Sequence, residues 1–295
     1  MTLESWLTLH AVEGDTVLSW VNDHHRGYAY PEAAGLLVRW FALRGLHPPE
    51  AVVRRLRDEV ESRRIGRDGH TYAFDTAVVL AGLEALDDHE DPRWTSARAA
   101  LPGMGIVDPP AKPRWSTTCG PHMLKLAVGS AARAARGWST PALAWLADLR
   151  VEQDARGRIA TPPHAQSYMH AHAYATEGLM ALASLGLHGR ASLDGAVEYL
   201  RHVQRDDGGI PAWSDGGPTR ADATAQAVRL FILHERGAHA DAIERGLDCL
   251  RGLCNEHGAV VYEPGSGDHN TWCSLFAAQA RAWAHGDPAR VEALL

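Results

Sequence analysis

One unit recurs along this chain and limits what it can fold into. A charged, amphipathic helix is followed by a glycine-bearing turn, a few extended residues and a helix of small apolar residues. The clearest copy is QRDDGGIPAW, Gln204 to Trp213, set between ASLDGAVEYLRHV and DATAQAVRLFIL. Others are VNDHHRGYAYPEAAGLL around Gly27 and RRIGRDGHTYAFDTAVVL around Gly69. EQDARGRIATPP with YMHAHAYATEGLMAL surrounds Gly157, and NEHGAVVYEP with NTWCSLFAAQA surrounds Gly258. Gly27, Gly69, Gly157, Gly209 and Gly258 stand 42, 88, 52 and 49 residues apart, and the double gap holds a degenerate copy, GMGIVDPPAKPRWSTTCGPHMLKLA. Each of these glycines is expected in a tight turn, several at positive φ, the conformation glycine adopts cheaply.

The two helices of each unit differ. Those before the turns, such as PEAVVRRLRDEVESR, TPALAWLADLRVEQ and ADAIERGLDCLRGL, repeat their apolar residues at three and four, the mark of one wet face. Those after the turns, such as TAVVLAGLEAL, TEGLMALASL and SLFAAQARAW, are apolar on all sides and so belong inside. Six outer and six inner helices in alternation predict an all-α fold, an (α/α)6 toroid spanning residues 1–295 as one domain. An open superhelix would need more uniform repeats. The ring is expected to close by packing an N-terminal helix, Leu3 to about Val21, beside the C-terminal DPARVEALL in the outer layer.

Within QRDDGGIPAW, a Gln followed shortly by Asp-Gly-Gly at the end of an outer helix is similar to the repeat of squalene–hopene cyclases and protein prenyltransferase β-subunits. Six-hairpin glycosidases and sugar epimerases share the architecture that this resemblance implies. Fold alone leaves the chemistry open. The Asp-x-Asp-Asp acid motif of squalene–hopene cyclases is absent from the inner helices. DDHED, Asp87 to Asp91, matches an Asp-Asp-x-x-Asp pattern, but it follows an inner helix at the end away from the turns, and Pro92 reads as the start of the next helix. It is read as a solvated loop.

Composition narrows the partners. The chain has 295 residues, 45% hydrophobic and 22% charged, with a net charge of −7 spread along its length. No basic face is present, which argues against nucleic acid or an anionic membrane. No apolar run approaches the roughly 20 residues that span a bilayer. The start, MTLESWLTLH, lacks the pattern of a signal peptide. Four cysteines, at 119, 249, 254 and 273, form no close-set framework, and the cytoplasm is the expected location.

A closed ring gathers the turn-bearing loops and the N-termini of the inner helices at one end. Polar and aromatic residues concentrate there, as a ligand pocket requires. They include Tyr28, Tyr30, Glu32, Tyr72, Phe74, Asp75, Cys119, His122, Tyr168, His170 and His172. Tyr174, Glu177, Trp213, Asp222, His269, Asn270, Trp272 and Cys273 complete the set. For any single acid, a cap or a first-turn residue favoured by the helix dipole is the simpler reading. The ring of them points to proton transfer, with His172 and Asp222 as the catalytic pair and Glu177 and Asp75 as partners. Tyr30, Glu32, His122, Tyr174, Trp213, His269 and Trp272 are expected to bind substrate, the aromatic faces suiting a sugar ring. No cofactor is expected. Zinc on Cys119, His122, His269 and Cys273 would need the third and sixth inner helices to meet across the cavity, and no Cys-x-x-Cys or His-Glu-x-x-His supports it.

Three functions follow. The first is an enzyme on a carbohydrate or polyol-like small molecule, hydrolysing or epimerising it with carboxylate and His acid–base catalysis. The second is an isoprenoid-type or other cyclase, against which the His- and Tyr-rich rim stands. The third is a toroid that binds a ligand or partner without catalysis.

Overall fold

The computed structural model describes residues 1–67, 70–87, 89–104 and 119–295, apart from the side chain of Arg67. Its inner helices are α2 (Pro31–Leu43), α4 (Ala73–Glu84), α6 (Ala127–Ala135), α8 (Met169–Ser184), α10 (Ala221–Glu235) and α12 (Thr271–Ala284). A 3-10 segment, Pro121–Leu126, leads into α6. Outside them lie α1 (Leu3–His10), α3 (Glu50–Glu61), α5 (Pro92–Ala100), α7 (Leu143–Ala147), α9 (Arg190–Val203) and α11 (Ala240–Gly252). The division follows burial. Every residue of α8 from Met169 to Leu182 is buried, whereas α3 buries only Val52, Leu56 and Val60, a single stripe.

The inner helices form a ring: α2 packs on α4, the Pro121–Leu126 segment on α4 and α8, α8 on α10, α10 on α12, and α12 on α2. Glycines set the closest approaches. A Cβ on Gly82 would stand 2.4 Å from the Gly35 carbonyl oxygen, and one on Gly178 would strike the Leu124 backbone at 2.2 Å. The ring closes through β pairing at the mouth. Trp20–Val21 lies antiparallel to His269–Asn270, which also pairs with Val260–Val261. Thr271 completes the seam, its N–H donating to Ser19 O (3.0 Å) and its hydroxyl to Leu18 O (2.6 Å).

This closure differs from the expected one. The N-terminal helix stops at His10 and gives way to a hairpin, Val12–Glu13 with Thr16–Val17. The C-terminal segment does not join the outer layer. It runs beneath the ring, where Val291–Ala293 packs on α6 and α8 and Leu294 and Leu295 are buried. Arg39 donates to Glu292 O (2.6 Å) and Gln279 to Ala293 O (2.7 Å). Buried polar groups of the inner helices find their partners there, which an outer-layer helix could not supply.

The recurring turn has a common construction. Gly157 (φ 88°), Gly208 (φ 84°) and Gly258 (φ 84°) occupy the left-handed position. In the Asp-Gly-Gly copy this is the first glycine rather than the expected Gly209, and Gly27 does not have positive φ; Gly69 lies outside the described residues. Gln204 donates through Nε2 to Gly208 O (3.0 Å) and to Ala242 O (2.9 Å) at the next outer helix. Gln153 does the same with Gly157 O (3.0 Å) and Ser192 O (2.8 Å). The Gln thus ties these two turns to the neighbouring unit.

The DDHED loop is anchored rather than simply solvated. Trp94 donates to Asp87 (2.7 Å), Asp91 caps α5, and Glu90 accepts from Thr95 (2.7 Å) and Ser139 (2.6 Å); Asp88 lies outside the described residues.

Candidate active site

A cavity of about 350 Å³ opens at the turn-bearing end of the ring, near the lower limit of roughly 300–1,000 Å³ typical of ligand pockets. One residue position builds much of it. The second residue of each inner helix is Glu32, Phe74, His122, His170, Asp222 or Trp272, counting the Pro121–Leu126 segment as the third helix start. All six line the cavity, with Asp75 and Tyr174 beside and below them. Because α4 and α10 are three steps apart in a ring of six, Asp75 and Asp222 stand on opposite sides. Neither they nor Glu32 is a helix cap: the residues in that position are Tyr30, Tyr72 and Arg220, none with a capping side-chain bond.

The mouth adds an aromatic wall. Trp20 meets Tyr28 at 5.1 Å between ring centroids, Tyr28 meets Tyr30 at 5.5 Å, Tyr30 meets Trp272 at 5.5 Å, and Trp272 meets Tyr262 at 6.0 Å. Edge-on and tilted contacts of this kind suit the ring quadrupoles. Asp268, held by Asn22 (2.7 Å) and His25 (3.2 Å), and Asn270 complete the lining among the described residues.

Glu32 receives the Tyr174 hydroxyl (2.7 Å) on Oε1 and the Tyr30 hydroxyl on Oε2. Burial, then the charge of Glu32, pushes Tyr174 well above the ordinary tyrosine range, so it stays a hydroxyl donor. His170 donates from Nδ1 to Gln226 Oε1 (2.6 Å) and lies 3.5 Å from Asp222 Oδ2. Burial, with His170 nearby, lowers His122 to about 3, which leaves it neutral near pH 7.

Of the expected site residues, Tyr30, Glu32, Asp75, His122, Tyr174, Asp222 and Trp272 share this cavity. Four others do not reach it. His172 is the fourth residue of α8, about 200° around the helix from His170. Its Nδ1 accepts the Ile159 N–H (3.1 Å) and its Nε2 donates to Ala196 O (3.1 Å). Thr224 and Ser274, fourth in α10 and α12, accept the N–H of Ile210 (2.9 Å) and Val260 (2.8 Å) in the same way. In these three helices the fourth position holds the turn and the second faces the cavity. Glu177 does share the His170 face, but seven residues or about 10 Å deeper. There it is buried against Lys125 (2.5 Å) and Arg229 (2.6 Å) beneath the floor. Trp213 packs on Tyr168 (4.9 Å) and His164 (5.1 Å), and His269 sits against Trp6 (5.7 Å).

The four residues considered for zinc do not gather. Cys119 is exposed, Cys273 is buried in the core and His269 lies against Trp6. Among the described residues no group of three or more His, Cys, Asp and Glu is arranged to hold a metal. Trp20, Tyr262 and Asp268 went unnoticed in the sequence, because hairpins bring them in rather than helix starts. The signal available was their place beside the turns, in LSWVNDHHRG and VVYEPGSGDHN. No helix among the described residues is long and apolar enough to cross a membrane.

No family profile and no curated protein matches the chain. Solved structures do. One titled UGL, an Asp-to-Asn variant with dGlcA-Glc-Rha-Glc, superposes with a TM-score of 0.67 at 11% identity, over 96% of this chain and 94% of its own. A polysaccharide lyase gives 0.60 at 11% identity, over 97% and 96%. The ent-copalyl diphosphate synthase from Streptomyces platensis gives 0.56 at 22% identity over 86% of this chain, which spans about half (49%) of the synthase. Glycosidase structures also match, one at 0.60 with 12% identity over 95% of both chains. The chain has the α/α-toroid fold common to these glycosidases, the lyase and the cyclase.

Proposed function

We propose that the protein is an enzyme acting on a carbohydrate by acid–base catalysis in this cavity. The observation that carries the reading is the opposition of Asp75 and Asp222 across one cavity with an aromatic wall at its mouth. Glycoside chemistry needs two carboxyls flanking the reacting bond, and their separation sets whether configuration is retained or inverted. Asp222 acts as proton donor and acceptor, assisted by His170, and Asp75 serves as the opposing carboxylate. Glu32, with Tyr30 and Tyr174, holds substrate hydroxyls, and Trp20 and Trp272 offer faces to the sugar ring. The glycosidase and lyase neighbours support the reading. The substrate is a glycan or small sugar, and residues 1–295 act as one toroid.

The synthase likeness, at 22% identity, and the Asp-Gly-Gly turn favour a second reading, a cyclase. The lining weakens it: Glu32, Asp75, His122, His170 and Asp222 would quench a carbocation that an apolar channel protects.

The experiment is to incubate the protein with a glycan panel and, separately, with a prenyl diphosphate, and to analyse products by mass spectrometry. Turnover of a glycan is expected. Asp222→Asn should lower it about 10²–10⁴-fold, the contribution of a positioned acid or base, with a melting temperature within a few degrees of the wild type. Full activity in both Asp222→Asn and Asp75→Asn would overturn the assignment, and turnover of the diphosphate alone would establish the cyclase.

A further inference from the structure

Two histidines on α8 are held in opposite tautomers. His172 accepts the Ile159 N–H on Nδ1 (3.1 Å) and donates from Nε2 to Ala196 O (3.1 Å), so its proton is on Nε2. His170 turns Nδ1 toward oxygen, with Gln226 Oε1 at 2.6 Å and Asp222 Oδ2 at 3.5 Å. Both oxygens are acceptors, so the proton is on Nδ1 and the lone pair of the neutral ring is on Nε2. The reverse orientation of the amide would set an Nδ1 lone pair against the Asp222 carboxylate.

Gln226 is fully buried and lies four residues after Asp222, one turn deeper on the same face of α10. Because α8 packs on α10, its amide reaches the imidazole from the neighbouring inner helix. The Tyr174 ring holds the imidazole from one side, 4.2 Å between centroids, and Tyr168 stands edge-on at 6.3 Å. An ionised acceptor makes a shorter and stronger hydrogen bond than an amide does. Yet the amide is the nearer of the two here, and Asp222 stands beyond the roughly 2.7–3.2 Å of an N–H···O bond.

We infer that Gln226 is a positioning residue: it engages the Nδ1–H of His170 in place of Asp222 and so keeps imidazole and carboxylate as two separate groups. His170 then exchanges protons only at Nε2, and Asp222 is not spent on orienting it. Joined as a carboxylate–histidine dyad, the two would titrate and act as one unit. What the two groups do to a substrate rests on the carbohydrate reading, which this assignment deepens.

The test is nuclear magnetic resonance of the whole protein with isotopically labelled histidine nitrogens, at a pH where the His170 ring is neutral. The signals lost in His170→Asn identify the residue. His170 is expected with Nδ1 protonated and Nε2 not, and His172 with the reverse, as an internal reference. Gln226→Met keeps the length of the side chain and removes its oxygen. In that variant the Nδ1 proton should turn to Asp222 and its resonance should move downfield, as a proton held by a carboxylate does. Adding Asp222→Asn should abolish the move. On a glycan that the panel shows to be turned over, Gln226→Met should lower kcat about tenfold or more, part of what a positioned base contributes, with KM within about twofold.

A protonated Nε2 on wild-type His170 overturns the inference, as does an unmoved Nδ1 proton in Gln226→Met. If that variant does not fold, the wild-type tautomer decides alone. An unchanged kcat overturns the positioning role. Should no glycan be turned over, the carbohydrate reading falls, while the spectra still decide which group holds the proton.

Discussion

Trp20 and Asn270, from opposite ends of the chain, pair as neighbouring β residues, and both line the cavity. Ring closure and site assembly are therefore one event. The first unit contributes an aromatic face, the last a polar one, and neither is in place until the strands meet.

Thr271 tests that seam without touching the lining. Its hydroxyl donates to the Leu18 carbonyl (2.6 Å), and Thr271→Val leaves that buried acceptor without this donor. A loss of about 1–3 kcal/mol is expected from urea unfolding. An unchanged midpoint would mean the seam carries little stability.

His172 gives a pH signature. Burial lowers it to about 4 from an ordinary 6.5. Between these values the unfolded chain binds a proton that the folded one refuses. Its contribution is therefore fully present above about pH 6.5 and is lost as pH falls toward 4. His122, lowered to about 3, acts in the same direction over a wider window. Urea unfolding at a series of pH values should show stability falling with acid. His172→Gln should remove about 1.4 kcal/mol per pH unit from that slope, while the folded variant keeps its ligand affinity. Loss of binding with an unaltered slope would return His172 to the site.

Glu177→Ala should be among the most damaging substitutions in the protein. It leaves Lys125 and Arg229 buried without their shared counter-charge, at a cost of about 3–5 kcal/mol. Calorimetry of Glu177→Ala beside Asp222→Asn separates the roles: the first should lose the fold, the second the chemistry.

Gly82→Ala forces a methyl to within 2.4 Å of the Gly35 carbonyl oxygen where α2 and α4 touch. Overpacking of this kind costs about 1–3 kcal/mol. Gly252→Ala, with nothing within 4 Å of its added carbon, should cost nothing by the same thermal melt.

The toroid was legible because burial on all sides and burial on one side leave different residue patterns, as α8 and α3 do. Recurring glycine turns then supplied the count. Within the site, Glu32, Asp75 and Asp222 were legible from their place at helix starts. His172 misled because composition does not reveal helical phase: His170 and His172 read alike until the helix start at Met169 assigns one to the cavity and the other to the turn. Glu177 misled in depth rather than direction. The hairpin residues Trp20, Tyr262 and Asp268 depend on long-range strand pairing, which no local pattern encodes. The C-terminal segment was misplaced because its short apolar pattern, VEALL, suits an outer helix as well as a strip beneath the ring.

The network of Lys125, Glu177 and Arg229 below Tyr174, with the C-terminal segment under it, seals one end of the ring. Among the described residues the cavity is a cup, open at the turn-bearing end and packed at the other. Under the proposed function, a glycan presents a chain end to such a cup rather than threading through it. The product of the proposed reaction leaves past Trp20 and Trp272, by the way the next molecule enters. On the proposed glycan reading, turnover in such a vessel is distributive rather than processive, with product competing directly with substrate for the same doorway.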